Sequence, residues 1–391
     1  MKDEKAKTPA PKRLKKPNIA VRLLVLAVTA ALVLGALFLV VYRDTYNLDS
    51  LKRWLAARNL EAGEATPFTH AGGDKLSIVY LDSGVVTAST AGAHYYSLDG
   101  SPQIDEVLSM ENPVLTASNT TAVVYDAGNQ DLFVFRNGEE TFRLTLEGSN
   151  DLLSARVNDS GWLAVTAQQS RHKGAVTVYD SHGEEVIGIG LTTAFAVDAA
   201  ISPDRKTVAV VTMGQESGSF FSRLLFYPVN QQEPSAQVDL GNITVLDLDY
   251  EDDVLWILGE DRLITVTPDG ETVQTFVFTP SYLKGCSLGG DGFAFLLTGR
   301  YRSGGADQAL VINSNAQAVH SLSLSSQMLA YAAKGDYCAL LSGSRLALYN
   351  SGLEQYASLE NLQAARRLDL TPSGSALLAN SQQAWLYIPK T

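Results

Sequence analysis

Nine side chains in three polar connections carry the chemistry most open to test. They are Arg171, His172 and Lys173 in QQSRHKG, Phe220, Phe221 and Arg223 in GSFFSR, and Arg300, Tyr301 and Arg302 in TGRYRSGG. Arginine forks grip carboxylates at two points, and aromatic faces stack on sugar rings or on peptide side chains. The set suits non-covalent binding of a carboxylate-bearing ligand. A plainer reading competes with it, since long hairpin loops collect Arg and Tyr without any ligand.

No catalytic constellation accompanies these residues. His70, His94, His172, His182 and His320 are scattered without an HExxH, and Cys286 and Cys338 make no CxxC, so local spacing builds no zinc site. A GxSxG elbow and a P-loop are absent, and Gly188-Ile189-Gly190 lacks the third glycine and following helix of a dinucleotide site. Asp247, Asp249, Glu251, Asp252 and Asp253 (DLDYEDD) offer oxygens as a calcium loop would. No glycine holds its sixth position and no glutamate its twelfth, so the run reads as a solvated strand end. The sequence predicts no cofactor and no metal, and it assigns no catalytic residue. Groups assembled from several repeats would escape such motifs, which keeps a cell-envelope hydrolase or lyase with a channel site as the alternative function.

The elements that must position the nine residues are short strands. From residue 76 onward helical periodicity disappears, and one hairpin recurs: AHYYSLDGSPQI at 93–104, DLFVFRNGEETF at 131–142, AVTVYDSHGEEV at 175–186, RLITVTPDGETV at 262–273, ALVINSNAQAVH at 309–320 and RLALYNSGLEQY at 345–356. Each is a β-rich run ending in a tip that needs positive φ, predicted at Gly100, Gly138, Gly183, Gly270, Asn315 and Gly352. A second hairpin precedes these, as in ISPDRKTVAVV at 201–211 and LTPSGSALLAN at 370–380. Two hairpins per period of about 41 residues make four strands per unit, the signature of a β-propeller.

Units are predicted to begin near Leu76, Pro113, Leu152, Ala196, Ile243, Leu283, Leu329 and Ala365. The eighth holds three strands, and residues 66–70 can supply its fourth, removing exposed sheet edges. The predicted fold is therefore all-β, a propeller of eight blades with seven as the alternative, over residues 65–391. In a propeller, equivalent loops emerge on one face, so the nine residues are expected to converge there.

Ahead of the propeller the composition changes. Residues 1–18 form a basic polar tail expected to be disordered and cytoplasmic. Residues 23–41 (LLVLAVTAALVLGALFLVV) are uncharged and apolar over a length that, at about 1.5 Å per residue, nearly spans a bilayer core of about 30 Å. A transmembrane helix is predicted within 19–42. The stretch is longer than a signal-peptide core and lacks a small-x-small cleavage site, which disfavours a cleaved leader. Eight Lys and Arg residues before the span, against Asp3 and Glu4, place the N-terminus inside and the rest outside. Within 43–64, residues 47–60 (NLDSLKRWLAARNL) set Leu48, Leu51, Trp54 and Leu55 on one side of an amphipathic helix.

Residues 65–391 carry 18 basic and 36 acidic side chains, which repels polyanions and excludes nucleic acid as a partner. Two cysteines in so large a domain make no disulfide framework, so both are read as buried thiols.

The SPDRKTVAVV turn resembles the inner hairpin of WD-repeat and Tol-type propellers, although no WD dipeptide is present. The whole layout, from basic tail and span through LKRWLAAR to ENPVLTASNTTAVVYDAGNQDLFVF, resembles a Firmicutes family of single-pass, membrane-anchored, propeller-like proteins without an assigned function. That resemblance implies an extracytoplasmic propeller. With the loops above, it leads to a binding or scaffold module for a protein partner or a cell-envelope ligand.

Overall fold

The computed structural model describes residues 61–390 except Asp252 and Gln363, together with Leu26, Val28, Thr29, Arg53 and Leu55, which are in helical conformation. Among the described residues no helix is long and apolar enough to cross a membrane. The predicted tail, span and juxtamembrane helix lie outside the described residues but for those five. The unit Asn59–Lys390 is the propeller.

Eight antiparallel meanders make eight blades: residues 77–106, 113–145, 152–191, 195–241, 245–277, 282–323, 328–360 and 367–388. Their first strands form the inner ring, each touching the next, and Ser77–Leu81 of blade 1 touches Arg367–Leu370 of blade 8, so the ring closes. Seven blades are thereby excluded.

Second strands such as Gly84–Ser89 and Phe293–Gly299 are buried at every position, because neighbouring blades cover both sheet faces. Outer strands such as Glu139–Thr145 have one wet face and do alternate. Apolar side chains meet between blades in eight clusters, one at each interface, as with Leu224, Phe226, Leu248 and Leu255 between blades 4 and 5.

Blade 8 is completed from the other end of the chain. Gly63–Glu64 and Phe68–Thr69 pair antiparallel with Gln383–Ile388, in the register Gly63↔Ile388 and Thr69↔Gln383. Trp385 Nε1 donates to Glu64 Oε1 at 3.0 Å, and the Phe68 ring sits 5.3 Å from that of Tyr96 in blade 1.

Gly100, Gly138, Gly183 and Gly270 take positive φ at the outer hairpin tips, as expected. In blades 6 and 7 the left-handed residue is one place later than predicted. Ala316 (φ 54°) and Leu353 (φ 58°) hold it, and their amides bond to Asn313 and Asn350 carbonyls as Gly270 bonds to Thr267. The four-residue turn sets that position, whichever residue arrives there.

Strand alternation gives the ring two distinct faces. The turn face carries the inner-to-second and third-to-outer turns; the linker face carries the second-to-third turns and the blade-to-blade linkers. Because Gly63 pairs at the end of the third strand of blade 8, the chain enters on the turn face.

Candidate functional site: the channel and its linker-face mouth

The inner strands enclose a channel of about 780 Å³. Alternate residues of each strand face it, and in several blades these are charged. Arg156 of blade 3 donates through Nε to Asp198 of blade 4 at 2.8 Å and through Nη2 to Asp247 of blade 5 at 2.6 Å. Ser154 adds a hydroxyl bond to Asp198. Burial opposes the Arg156 charge, but Asp198 and Asp247 outweigh it and raise its pKa above the ordinary range. Across the ring, Lys334 of blade 7 donates to the Tyr80 carbonyl of blade 1 at 2.7 Å and lies 3.7 Å from Asp369 of blade 8, which accepts the Tyr80 amide at 2.7 Å. Each network ties three successive blades.

Asp249, two residues beyond Asp247, accepts the amide of Tyr250 at 2.9 Å. Removal from water, with Asp247 and Asp159 nearby, pushes its carboxyl up to about 7 against the pull of Arg156. The run read as a solvated strand end therefore places Asp247 in an ion pair and Asp249 in the channel. Among the described residues, no three His, Cys, Asp or Glu side chains are grouped to hold a metal ion. Cys286 and Cys338 are free, the first half-buried and the second buried. Burial pushes Cys338 up to about 12 and raises Cys286 as well.

All nine sequence-predicted residues lie on the linker-face side, at the second-to-third connections of blades 3, 4 and 6. Their settings differ. Lys173 Nζ donates to the Thr193 carbonyl at 3.0 Å and stands 5.3 Å from the centre of the Phe195 ring, while the His172 ring lies against Gly190. Phe220, Phe221 and Arg223 are on a strand, not in a loop. Thr207–Glu216 and Ser219–Pro228 continue their pairing outward to a tight Ser217-Gly218 turn. Arg223 lies 3.9 Å over Phe221 and bonds Glu216 at 2.9 Å. Arg300 pairs with Asp307 at 3.3 Å, Tyr301 is exposed, and the Arg302 carbonyl accepts from Lys284 at 2.8 Å. Among the described residues, no hydrogen bond, ion pair or ring contact joins one trio to another.

The residues that sequence reasoning missed sit at the channel mouth between these connections. In blades 3 to 7 the inner strand bulges near its start, skipping Leu153, Val197, Leu246, Lys284 and Leu329 in turn. A bulge re-aims a side chain that regular alternation would place elsewhere. Leu153, Val197 and Leu246 line the channel, and Leu246 and Leu329 are exposed. Phe195 and Tyr282, first residues of the inner strands of blades 4 and 6, are exposed beside them. Pairing register carries no local sequence signal, so only a charged or apolar residue out of phase could have hinted at this collar.

Sequence comparison with curated proteins gives no significant match. Among solved structures, a eukaryotic initiation factor aligns with a TM-score of 0.52 at 12% identity, over 83% of this chain and 85% of that one. The β-propeller domain of Cps50 (Swd1) from Myceliophteria thermophila aligns at 0.50 and 10% identity, over 72% and 98%. BamB from Moraxella catarrhalis aligns at 0.48 and 13% identity, over 82% and 98%. The first two share the propeller fold with this chain. Residues 63–358, from the closing strand into blade 7, match a described protein family over well more than half of the sequence, and the chain accordingly belongs to the family of unknown function DUF5711.

Proposed function

We propose that the protein is a membrane-tethered, extracytoplasmic propeller that binds a protein partner or cell-envelope ligand on its linker face and acts as a binding or scaffold module. One observation carries the reading. Phe195, Phe220, Leu246, Tyr282 and Tyr301 are all exposed, between 45% and 73%, on that one side of blades 4 to 6. Large apolar side chains clustered on a surface mark interaction sites more often than singly scattered ones do. The tether rests on the apolar, uncharged stretch at residues 23–41 and the basic residues before it.

The test is site-specific photocrosslinking in native membranes. Crosslinkers at Phe220 and Tyr301 should form partner adducts, and crosslinkers at Asp99 and Asp269 on the turn face should not. Adducts from the turn-face positions alone would overturn the reading. A channel hydrolase is the second reading, favoured only by Asp249, whose carboxyl holds its proton near neutral pH as a general acid must.

A further inference from the structure

The two faces differ in charge as well as in apolarity. Inner-to-second turns place Asp82, Asp159, Asp204, Asp253, Asp291 and Asp336 around the turn-face mouth, one in each of six blades. The third-to-outer turns add Asp99, Asp180 and Asp269. Arg205 and Lys206, both in blade 4, are the basic residues of the inner-to-second turns. At the linker-face mouth, Lys173, Lys284 and Arg302 form no ion pair with a carboxylate among the described residues; Lys173 and Lys284 point their ammonium groups at backbone carbonyls beside the apolar collar. The collar is also one-sided. In blades 1, 2, 3 and 8 the inner strands begin with Ser77, Pro113, Leu152 and Arg367, none of them an exposed apolar residue.

Resting on the binding role proposed above, we infer that the linker-face mouth over blades 4 to 7 takes a polypeptide segment of a partner protein that carries both apolar and acidic side chains. Its apolar residues cover Leu246, Tyr282, Leu329 and Phe195. Its carboxylates meet Lys173, Lys284 and Arg302. Five successive bulges at one strand position are what bring the collar to the mouth, and they have no role in closing the ring, which blades 1 and 2 accomplish without them. Charge complementarity selects the acidic partner: in a domain of net negative charge, an anionic segment is repelled by the ring of turn-face aspartates and meets Lys173, Lys284 and Arg302 here.

Full-length protein in nanodiscs of zwitterionic lipid is titrated with three synthetic peptide pools of equal length: Leu/Phe with Asp/Glu, Leu/Phe with Lys/Arg, and Ser/Gly with Asp/Glu. The first pool should bind most tightly, and rising salt should weaken it without abolishing it, because apolar contact is not screened. Leu246→Ser with Leu329→Ser should weaken that binding about tenfold or more, as loss of anchor residues does. Lys284→Ala with Arg302→Ala should weaken it and flatten its salt dependence. Leu246, Leu329 and Arg302 are exposed and Lys284 is half-buried, with its ammonium group on a loop carbonyl, so both variants should keep close to the parent melting temperature. Preference for the basic pool, no binding by any pool, equal binding by the Leu variant, or a self-dimer that the Leu variant abolishes would each overturn the inference. If photocrosslinks persist at Phe220 and Tyr301 in any of those cases, only this inference fails; if they move to the turn face, the binding role fails with it.

Discussion

Asp249 and Arg156 show how the channel balances its charge. Asp249 has a folded-state pKa of about 7 against an ordinary carboxyl value of 3.8, so the folded protein binds its proton more tightly than the unfolded chain does. Its effect on stability is absent below about pH 4, grows as a penalty as pH rises toward 7, and stays constant above. Asp249→Asn should therefore leave melting unchanged near pH 4 and raise it by about 2–4 °C at pH 8, once the water in the channel is allowed for. Differential scanning calorimetry across that range checks the sign; a lower melting temperature for Asn at pH 8 would contradict it. Arg156 works the other way. Arg156→Met strands Asp198, whose side chain is only 11% exposed, beside Asp247 without a counter-charge. Removing one partner of such a pair costs about 2–4 kcal/mol, and Asp198→Asn in the same chain should recover part of it in urea unfolding.

Among the elements, the closing strand is the weakest join and the most consequential. It is split into two-residue pieces at Gly63–Glu64 and Phe68–Thr69, where the other outer strands run to five residues or more. Gly100 leaves room for Phe68, since a Cβ there would stand 2.1 Å from the Phe68 Cβ. Replacing residues 63–69 with a Gly/Ser run of equal length removes the ladder bonds, the Trp385–Glu64 bond and the Phe68 contact. That should lower the melting temperature by about 10 °C. The same replacement over residues 5–11, outside the propeller, should change nothing. Equal melting of both proteins would show that the ring holds without this strand. The unit boundaries were legible because each inner hairpin carries its turn residues and each outer hairpin its tip; the observed inner strands begin at Ser77, Pro113, Leu152, Phe195, Val245, Tyr282, Met328 and Arg367, within two residues of the expected starts. The extended hairpin of blade 4 was not legible, because GQESGSFF is as polar and Gly-rich as a loop.

Taken as a whole molecule, the propeller has an acidic turn face, where the chain enters, and a linker face of mixed charge with apolar side chains. A reporter active only outside the cell should work when fused after Thr391 and be silent when fused before Lys2; the reverse pattern would remove the proposed localisation.

The amino-acid sequence alone determined the repeat, the starts of its units, the completion of the last blade from ahead of the first, and the apolar stretch near the N-terminus, with eight blades favoured over seven. All of these depend on local patterning: period-two runs, turn residues at fixed offsets and hydropathy. Tertiary structure decided the rest. Arg156 meets Asp198 and Asp247 across 42 and 91 residues, and the bulged Leu246 and Leu329 reach one channel mouth from different blades. Such meetings depend on strand register and on the closing of a ring, which fix positions between residues far apart in the chain and leave no mark on the spacing between neighbours.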